Sequence, residues 1–265
     1  MSKIEKVQLN EKKIKIFANI AFVGVISTLS FSYISVNPLH ILTSIPTLIT
    51  FLYINFLPLN LNNMPIFLRA TVDTLLFALL GTYISAIISF ILGVLMSENL
   101  VPNPLVRGLI RFIVSFFRNI PVVIWVSVLV FIFGIGNIVG LIALVIVTIG
   151  FLSRSYAESI NEIAGSKLEA LKASGASWFQ LVIHGIIPEF LPAWINWTLF
   201  SFEINIRASA ILGMVGAGGV GILIQTNLNL RNFNSAGTLI MILVILVLLT
   251  EFVVNFIRKR LACAC

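Results

Sequence analysis

Between Arg118 and Arg154 the chain carries no charged residue. A stretch of that length, dominated by Val, Ile and Leu, cannot lie against water. It must sit in a large protein core or in hydrocarbon, and the rest of the chain decides which. Of 265 residues, 59% are hydrophobic and 10% are charged, against about 25% charged in an average soluble domain. The mean hydropathy is +1.08. So few charges cannot cover a water-facing surface. The sequence therefore predicts an all-α integral membrane protein, because helices satisfy their backbone donors and acceptors internally within a bilayer.

A spanning helix needs about 20 mainly apolar residues. Residues 16–34, 74–96, 190–206 and 237–256 meet that requirement. The turn-forming cluster Gly134-Ile135-Gly136-Asn137 divides the uncharged stretch into two more, 112–133 and 138–152. The expectation is about six transmembrane helices. A seventh candidate, 41–57, is interrupted by Pro46 and flanked by Pro38 and Pro58.

Parity sets that candidate aside. With six crossings both termini share one side, and that side collects every Lys and Arg of the 17 except Arg69, Arg207 and Arg231. Such enrichment marks the cytoplasmic face. Residues 36–68 are then an extracytoplasmic or interfacial connection. The expected organisation is a cytoplasmic tail (1–15), a first helix with its connection (16–69), a main transmembrane domain (70–258) with a cytoplasmic loop (153–189), and a C-terminal tail (259–265). The apolar run 16–34 exceeds a signal-peptide core and lacks a small-x-small cleavage site, so it reads as a membrane helix. The net charge of +7 belongs to loops and tails in this reading, which gives no basis for nucleic-acid binding.

Within the cytoplasmic loop, residues 166–177 read SKLEALKASGAS, a polar segment in an apolar chain. Ser166 followed by Glu169 matches a capping box, in which a hydroxyl and a carboxylate satisfy free amides at a helix start. Leu168 and Leu171 share a face, and Gly175 is placed to end the helix in a left-handed turn. Ser177 with Gln180 repeats the cap signature. The product is two short helices around a Gly175-Ala176 corner. A DNA-binding helix-turn-helix also has a glycine in its turn, but the second helix here, WFQLVIHGII, lacks the basic residues that a groove requires.

Several motif-like features carry no chemistry. Residues 216–221, GAGGVG, match a dinucleotide fingerprint by letter, but no strand precedes them and no acidic residue stands about 20 positions on. Gly216, Gly218, Gly219 and Gly221 instead predict close helix packing or a break at a gate. No G-x-x-x-x-G-K-[ST] loop is present, so any ATP chemistry belongs to another chain. His40 and His184 stand alone, and Cys263 and Cys265 lie in the C-terminal tail without metal or lipidation spacing. No G-x-S-x-G elbow is found. The expectation is no catalytic residue, no metal and no bound cofactor.

Glu203 and Arg207 are the charges inside a span that most need explaining, since an unpaired charge near the bilayer centre costs roughly 2.5–3.5 kcal/mol. At a spacing of four they share a helical face and can neutralise each other. Two readings stand side by side: a paired anchor that fixes the helix, or an Arg207 that faces a solute pathway and is oriented by Glu203. Asp73 and Glu251 lie nearer span ends.

Glu169-Ala170, Gly175 and Pro188 at its set distance resemble the EAA motif of permease subunits of ABC importers. Leu171 stands where many members carry a second alanine, Gly185 at the usual isoleucine, and Ile187 replaces leucine before Pro188. Residues 202–221, FEINIRASAILGMVGAGGVG, resemble the corresponding segment of phosphonate permeases, as does DTLLFALLGTYIS at 73–85, with Asp73 at an expected glutamate. The resemblance runs from about residue 70 to 258.

It implies a type I ABC importer permease fold. It also implies a coupling loop (Glu169, Ala170, Leu171, Gly175, Trp178, Pro188) that docks on a separate ATPase. Leu168, Leu171 and Trp178 are the apolar anchors expected for that contact, while Glu169 either pairs with the partner or caps its own helix. The implied partners are two ATPase subunits holding ATP and Mg, an extracytoplasmic substrate-binding protein and a second permease copy. The implied cargo is a phosphonate or related phosphorus oxyanion, whose oxygens suit the planar fork of Arg207, with Glu203 and Asp73 along the pathway. The rival classes are a permease for another small solute and an ion-coupled secondary transporter, the latter expected to show repeated halves that this sequence lacks.

Overall fold

The computed structural model describes residues 3–34, 37–163 and 165–262, and these contain helices and no strand. The chain divides into two units, Met1–Leu57 and Pro58–Cys265.

The first unit holds α1 (Lys3–Tyr33) and α2 (Pro38–Phe56). Helix α2 starts as local chemistry dictates. Asn37 Oδ1 accepts from the amide of Leu39 at 3.0 Å, and Pro38 supplies a fixed φ at the first helical position. Pro46 lies inside the helix rather than ending it. The stretch that the proline pattern marked as a connection is thus a continuous helix, and Leu39–Phe56, like Lys15–Tyr33, is long and apolar enough to cross a membrane. Proline is tolerated in apolar helices where hydroxyls and local adjustment occupy the freed backbone groups.

The second unit comprises α3 (Met64–Met96), α4 (Pro104–Asn119), α5 (Val122–Phe133), α6 (Asn137–Ile163), α7 (Ser166–Ala173), α8 (Trp178–Gln180), α9 (Ile187–Leu212), α10 (Gly219–Asn229) and α11 (Phe233–Ala262). A π-helical stretch, Leu181–Ile186, joins α8 to α9. With the two helices of the first unit, six segments among the described residues are long and apolar enough to span, and the bent pair α4–α5 makes a seventh if it counts as one broken span.

Helices α3 and α6 form the centre. Gly81, Ser85, Ser89 and Gly93 recur every fourth residue along one buried face of α3, the small-residue spacing that lets apolar helices approach closely. A Cβ on Gly81 would lie 2.5 Å from Leu144 Cδ2, and one on Gly93 would lie 2.9 Å from Tyr156 Cβ. The serines between them reach the α6 backbone, Ser85 Oγ at 3.2 Å from Val145 O and Ser89 Oγ at 3.4 Å from Ile149 O. Helix α9 is fastened to this pair by a buried chain. Thr148 donates to Asn205 Oδ1 at 3.0 Å, and Asn205 Nδ2 donates to Thr82 Oγ1 at 2.8 Å.

The expected span 112–133 is not one helix. Helices α4 and α5 meet at an 86° bend. Pro121 removes a backbone donor and disfavours helical geometry at the residue before it. Ile120 accordingly sits at φ −87, ψ 122. Helix α4 therefore starts earlier than expected and is two-faced. Leu105, Leu109, Phe112 and Phe116 form an exposed apolar stripe, while Arg107, Arg111 and Arg118 fall on the opposite side by helical spacing.

Candidate functional site

Two regions carry the residues that the sequence singled out: the loop around Gly175 and the α9–α10 reversal with its neighbouring charges.

Helix α7 ends as its sequence requires. Gly175 has φ +83, the amide of Ala176 donates to Leu171 O at 3.1 Å, and that of Gly175 donates to Lys172 O at 3.0 Å. This is the paired-bond Schellman ending, which needs a left-handed residue. Ser177 and Gln180 then form the expected capping box. Ser177 N donates to Gln180 Oε1 at 2.8 Å, and Gln180 N donates to Ser177 Oγ at 3.5 Å. The start of α7 departs from expectation. Gly165 occupies its N-cap position and offers no side-chain bond, with Ser166 already inside the helix. The Ser166 hydroxyl expected in the first capping box lies outside the described side chains.

The face shared by Leu168 and Leu171 turns toward the chain's own core. Leu168 is only 1% exposed and packs with Leu152, Tyr156, Ile160, Ile186 and Phe190, and Leu171 flanks the same cluster. Leu168 is therefore closed to a partner, contrary to its expected role as an anchor. Burial of its own apolar face is what holds so short a helix in place. The exposed apolar edge is formed by Trp178 and Phe179, 39% and 70% exposed, whose rings meet edge-to-face at 5.2 Å. Glu169 and Ala170 are on the exposed side.

This loop is tied to the far side of the bundle end. Lys172 Nζ donates to Asn99 O at 2.7 Å, and Trp178 Nε1 donates to Leu100 O at 3.0 Å. The 97–101 segment is itself held by α6, where Asn161 Oδ1 accepts from Ser97 Oγ at 2.7 Å and from Glu98 N at 3.0 Å. Pro188 is the second residue of α9 and follows directly on the π-helical stretch, a local adjustment of the kind that accommodates a proline within an apolar helix. The loop, the end of α3, the end of α6 and the start of α9 thus form one connected body.

At the other region, α9 runs into a reversal built on glycine. Gly216, Gly218 and Gly219 have φ +107, +85 and +65, geometry that side chains disfavour. The reversal is also crowded. A Cβ on Gly219 would lie 2.5 Å from Thr74 Oγ1, and one on Gly221 would meet Ala210 O. Thr74 accepts from the amide of Val220 at 2.8 Å, which fixes the start of α10 on α3.

Glu203 and Arg207 are paired along α9, Arg207 Nη2 to Glu203 Oε1 at 3.0 Å. The arginine side chain is 43% exposed and the glutamate 14%, so the pair presents the cation and withholds the carboxylate. Asp73 lines a different place, an open cavity of about 310 Å³ with Arg69, Asn137, Gly218 and Gly219. Neither Glu203 nor Arg207 lines that cavity. Among the described residues no cluster of His, Cys, Asp or Glu could hold a metal ion.

Residues 89–262 match the model of the binding-protein-dependent transport system inner membrane component family. The chain belongs to that family.

Relatives of this inner membrane component include the phosphite transport system permease protein PtxC of Stutzerimonas stutzeri, 28% identical over 73% of the chain and 70% of that protein. Another is the phosphate-import permease protein PhnE of Mycolicibacterium smegmatis, 30% identical over 88% of the chain; the chain spans 44% of its length. Among solved structures, an inward-facing conformation of the MetNI methionine ABC transporter superposes with a TM-score of 0.66 at 26% identity, covering 75% of the chain and 97% of the matched one. The architecture is that of an ABC importer permease, a multi-pass protein of the cell membrane.

In this inner membrane component the structure brings Glu169, Ala170, Leu171, Gly175 and Trp178 into one loop, with Pro188 opening the helix it leads to. It joins Glu203 to Arg207 and gathers Gly216, Gly218, Gly219 and Gly221 at one reversal. Sequence reasoning missed the Thr82–Asn205–Thr148 chain. Its signal was available, since Asn205 is a strongly polar amide between apolar neighbours inside a span and needs buried partners. Also missed was Asn161, whose role depends on a long-range meeting with Ser97 that no local pattern encodes.

Proposed function

We propose that this chain is the membrane-spanning permease subunit of an ATP-driven importer, that it moves a phosphonate or related phosphorus oxyanion into the cytoplasm, and that it is driven through the Gly175 loop by a separate ATPase. The observation that carries this reading is the mechanical continuity of that loop. An ATPase pressing on the Trp178–Phe179 edge would act on a short helix that is capped at both ends of its corner. Through Asn99, Leu100 and Asn161 that body is continuous with α3, α6 and α9.

Two permease copies, two ATPase subunits and an extracytoplasmic binding protein complete the assembly in this proposal. ATP and Mg stay on the ATPase, since this chain has no phosphate-cradling loop. ATP binding draws the ATPases together, and the coupled helices switch access as rigid bodies. The loop end of the bundle is cytoplasmic, because Arg107, Arg111, Arg118, Arg154 and Lys172 gather there. The lysines before α1 favour a cytoplasmic N-terminus by the same rule. Arg207, exposed and oriented by Glu203, is the pathway cation in this reading.

The phosphorus oxyanion is supported by the phosphite and phosphate names of the two relatives. The MetNI likeness favours a second reading, an amino acid as cargo on the same machinery. Pull-down of the tagged chain from native membranes tests the shared part. An ATPase subunit should co-purify and hydrolyse ATP, while the chain alone should neither bind nor hydrolyse it. A chain that purifies without any ATPase would refute the coupling. Binding of phosphonate or methionine by the cognate binding protein separates the two cargoes.

A further inference from the structure

A second basic site lies where α4 meets α6. A Cβ on Gly150 would lie 3.0 Å from the backbone of Arg118, so the end of α4 is pressed directly on α6, and Arg154 follows Gly150 by one turn. The result is a cavity of about 320 Å³ lined by Arg111, Arg118 and Arg154, with Ser115, Asn161 and one carboxylate, Glu158.

Two of the arginines are partly satisfied. Arg111 bonds Glu98 at 3.1 Å and Met96 O at 3.0 Å, and Arg154 Nε bonds Glu158 at 2.7 Å. Both Nη groups of Arg154 have no protein acceptor among the described residues. Arg118 forms no ion pair or hydrogen bond there at all. Asn161 spends its Oδ1 on Ser97 and Glu98, so its Nδ2 is left as a donor. Even with Glu98 counted beside Glu158, three guanidinium groups face two carboxylates. The cavity therefore offers one uncompensated positive charge and a converging set of donors.

We propose that this cavity binds a phosphoryl oxyanion, either a free phosphorus oxyanion or the phosphodiester of an anionic lipid headgroup. Arg118 and Arg154 supply planar donor forks that match paired oxygens, and Ser115 and Asn161 supply neutral donors. The two sources share this chemistry. The apolar stripe on the other side of α4 and its 86° bend from α5 suit a helix lying along the membrane surface, where phosphate groups are dense. Because Asn161 also anchors the 97–101 segment, occupancy reaches the same residue that steadies the Gly175 loop. The proposal is independent of which solute is transported.

The test uses the full chain in two arms. In neutral detergent, radiolabelled orthophosphate is measured by equilibrium dialysis. After reconstitution in phosphatidylcholine vesicles containing phosphatidylglycerol, retained lipid is measured by native mass spectrometry. Saturable phosphate binding identifies the free oxyanion, and a retained phosphatidylglycerol identifies the lipid. In either case Arg118→Gln and Arg154→Gln weaken binding about tenfold or more, and Arg118→Lys, which keeps the charge but loses the fork, falls between. Arg107→Gln leaves binding unchanged, since Arg107 bonds Val101 O outside the cavity. Arg118 is exposed and unpaired, so its variant remains informative if Arg154→Gln does not fold. Absence of binding in both arms, or wild-type binding by folded Arg118→Gln, overturns the proposal.

Discussion

Leu171 and Gly185 occupy one shared space: a Cβ on Gly185 would lie 3.0 Å from Leu171 Cδ1 and 3.3 Å from Leu168 Cδ1. Both residues depart from the EAA pattern, Leu171 by being larger than the usual alanine and Gly185 by being smaller than the usual isoleucine. The two departures compensate. Gly185→Val should overpack the cluster and cost about 1–3 kcal/mol. Adding Leu171→Ala should recover a substantial part of that loss. A double-mutant cycle of thermal unfolding in detergent measures the coupling, and additive effects would show that the two side chains do not share the space.

Gly175 holds φ +83 in open surroundings, so crowding is not its constraint. Gly175→Val should be disfavoured by about 1–2 kcal/mol through backbone conformation alone. The expected phenotype is lost uptake with normal membrane insertion, because the corner that aims Trp178 is displaced. Uptake and ATPase co-purification are read together. Wild-type values for both would remove the loop from the coupling path.

How much of this was legible in the sequence varies with the range of the interaction. The Ser177–Gln180 cap and the Gly175 ending follow from a few adjacent residues, and both form as read. Membrane residence and the number of apolar segments follow from composition and run length. The identity of those segments did not follow. Pro46 reads as a break but sits inside α2, and 112–133 reads as one run but turns through 86° at Pro121. A proline states which bond is lost, and only the surroundings decide whether the helix continues. The orientation of Leu168 was likewise invisible. An apolar face on a polar loop fits a partner and the chain's own core equally well until the core is known.

Asn205 links three helices through Thr148 and Thr82. Interhelical hydrogen bonds in membranes average about 0.6 kcal/mol and reach about 1.7. Removing two at once through Asn205→Ala should therefore destabilise the bundle by about 1–3 kcal/mol. Reversible unfolding in mixed micelles checks this, and Thr148→Val and Thr82→Val should each show a smaller loss.

Arg207 presents its guanidinium while Glu203 is largely withdrawn. As a pathway cation, Arg207→Ala should abolish uptake while the complex still assembles at wild-type yield. Loss of folded protein instead would identify the pair as an anchor for α9. Glu203→Gln separates the roles further, since it keeps the shape of the acid and frees the arginine. The pathway reading expects altered apparent affinity for the solute with assembly retained.

In the proposed importer another protein's ATP moves this chain. The most direct measurement is uptake of a radiolabelled phosphonate by proteoliposomes holding the chain, its ATPase and the binding protein. Accumulation should require ATP and disappear when the ATPase is omitted. Accumulation by the chain alone under an ion gradient, unaffected by ATP, would contradict it.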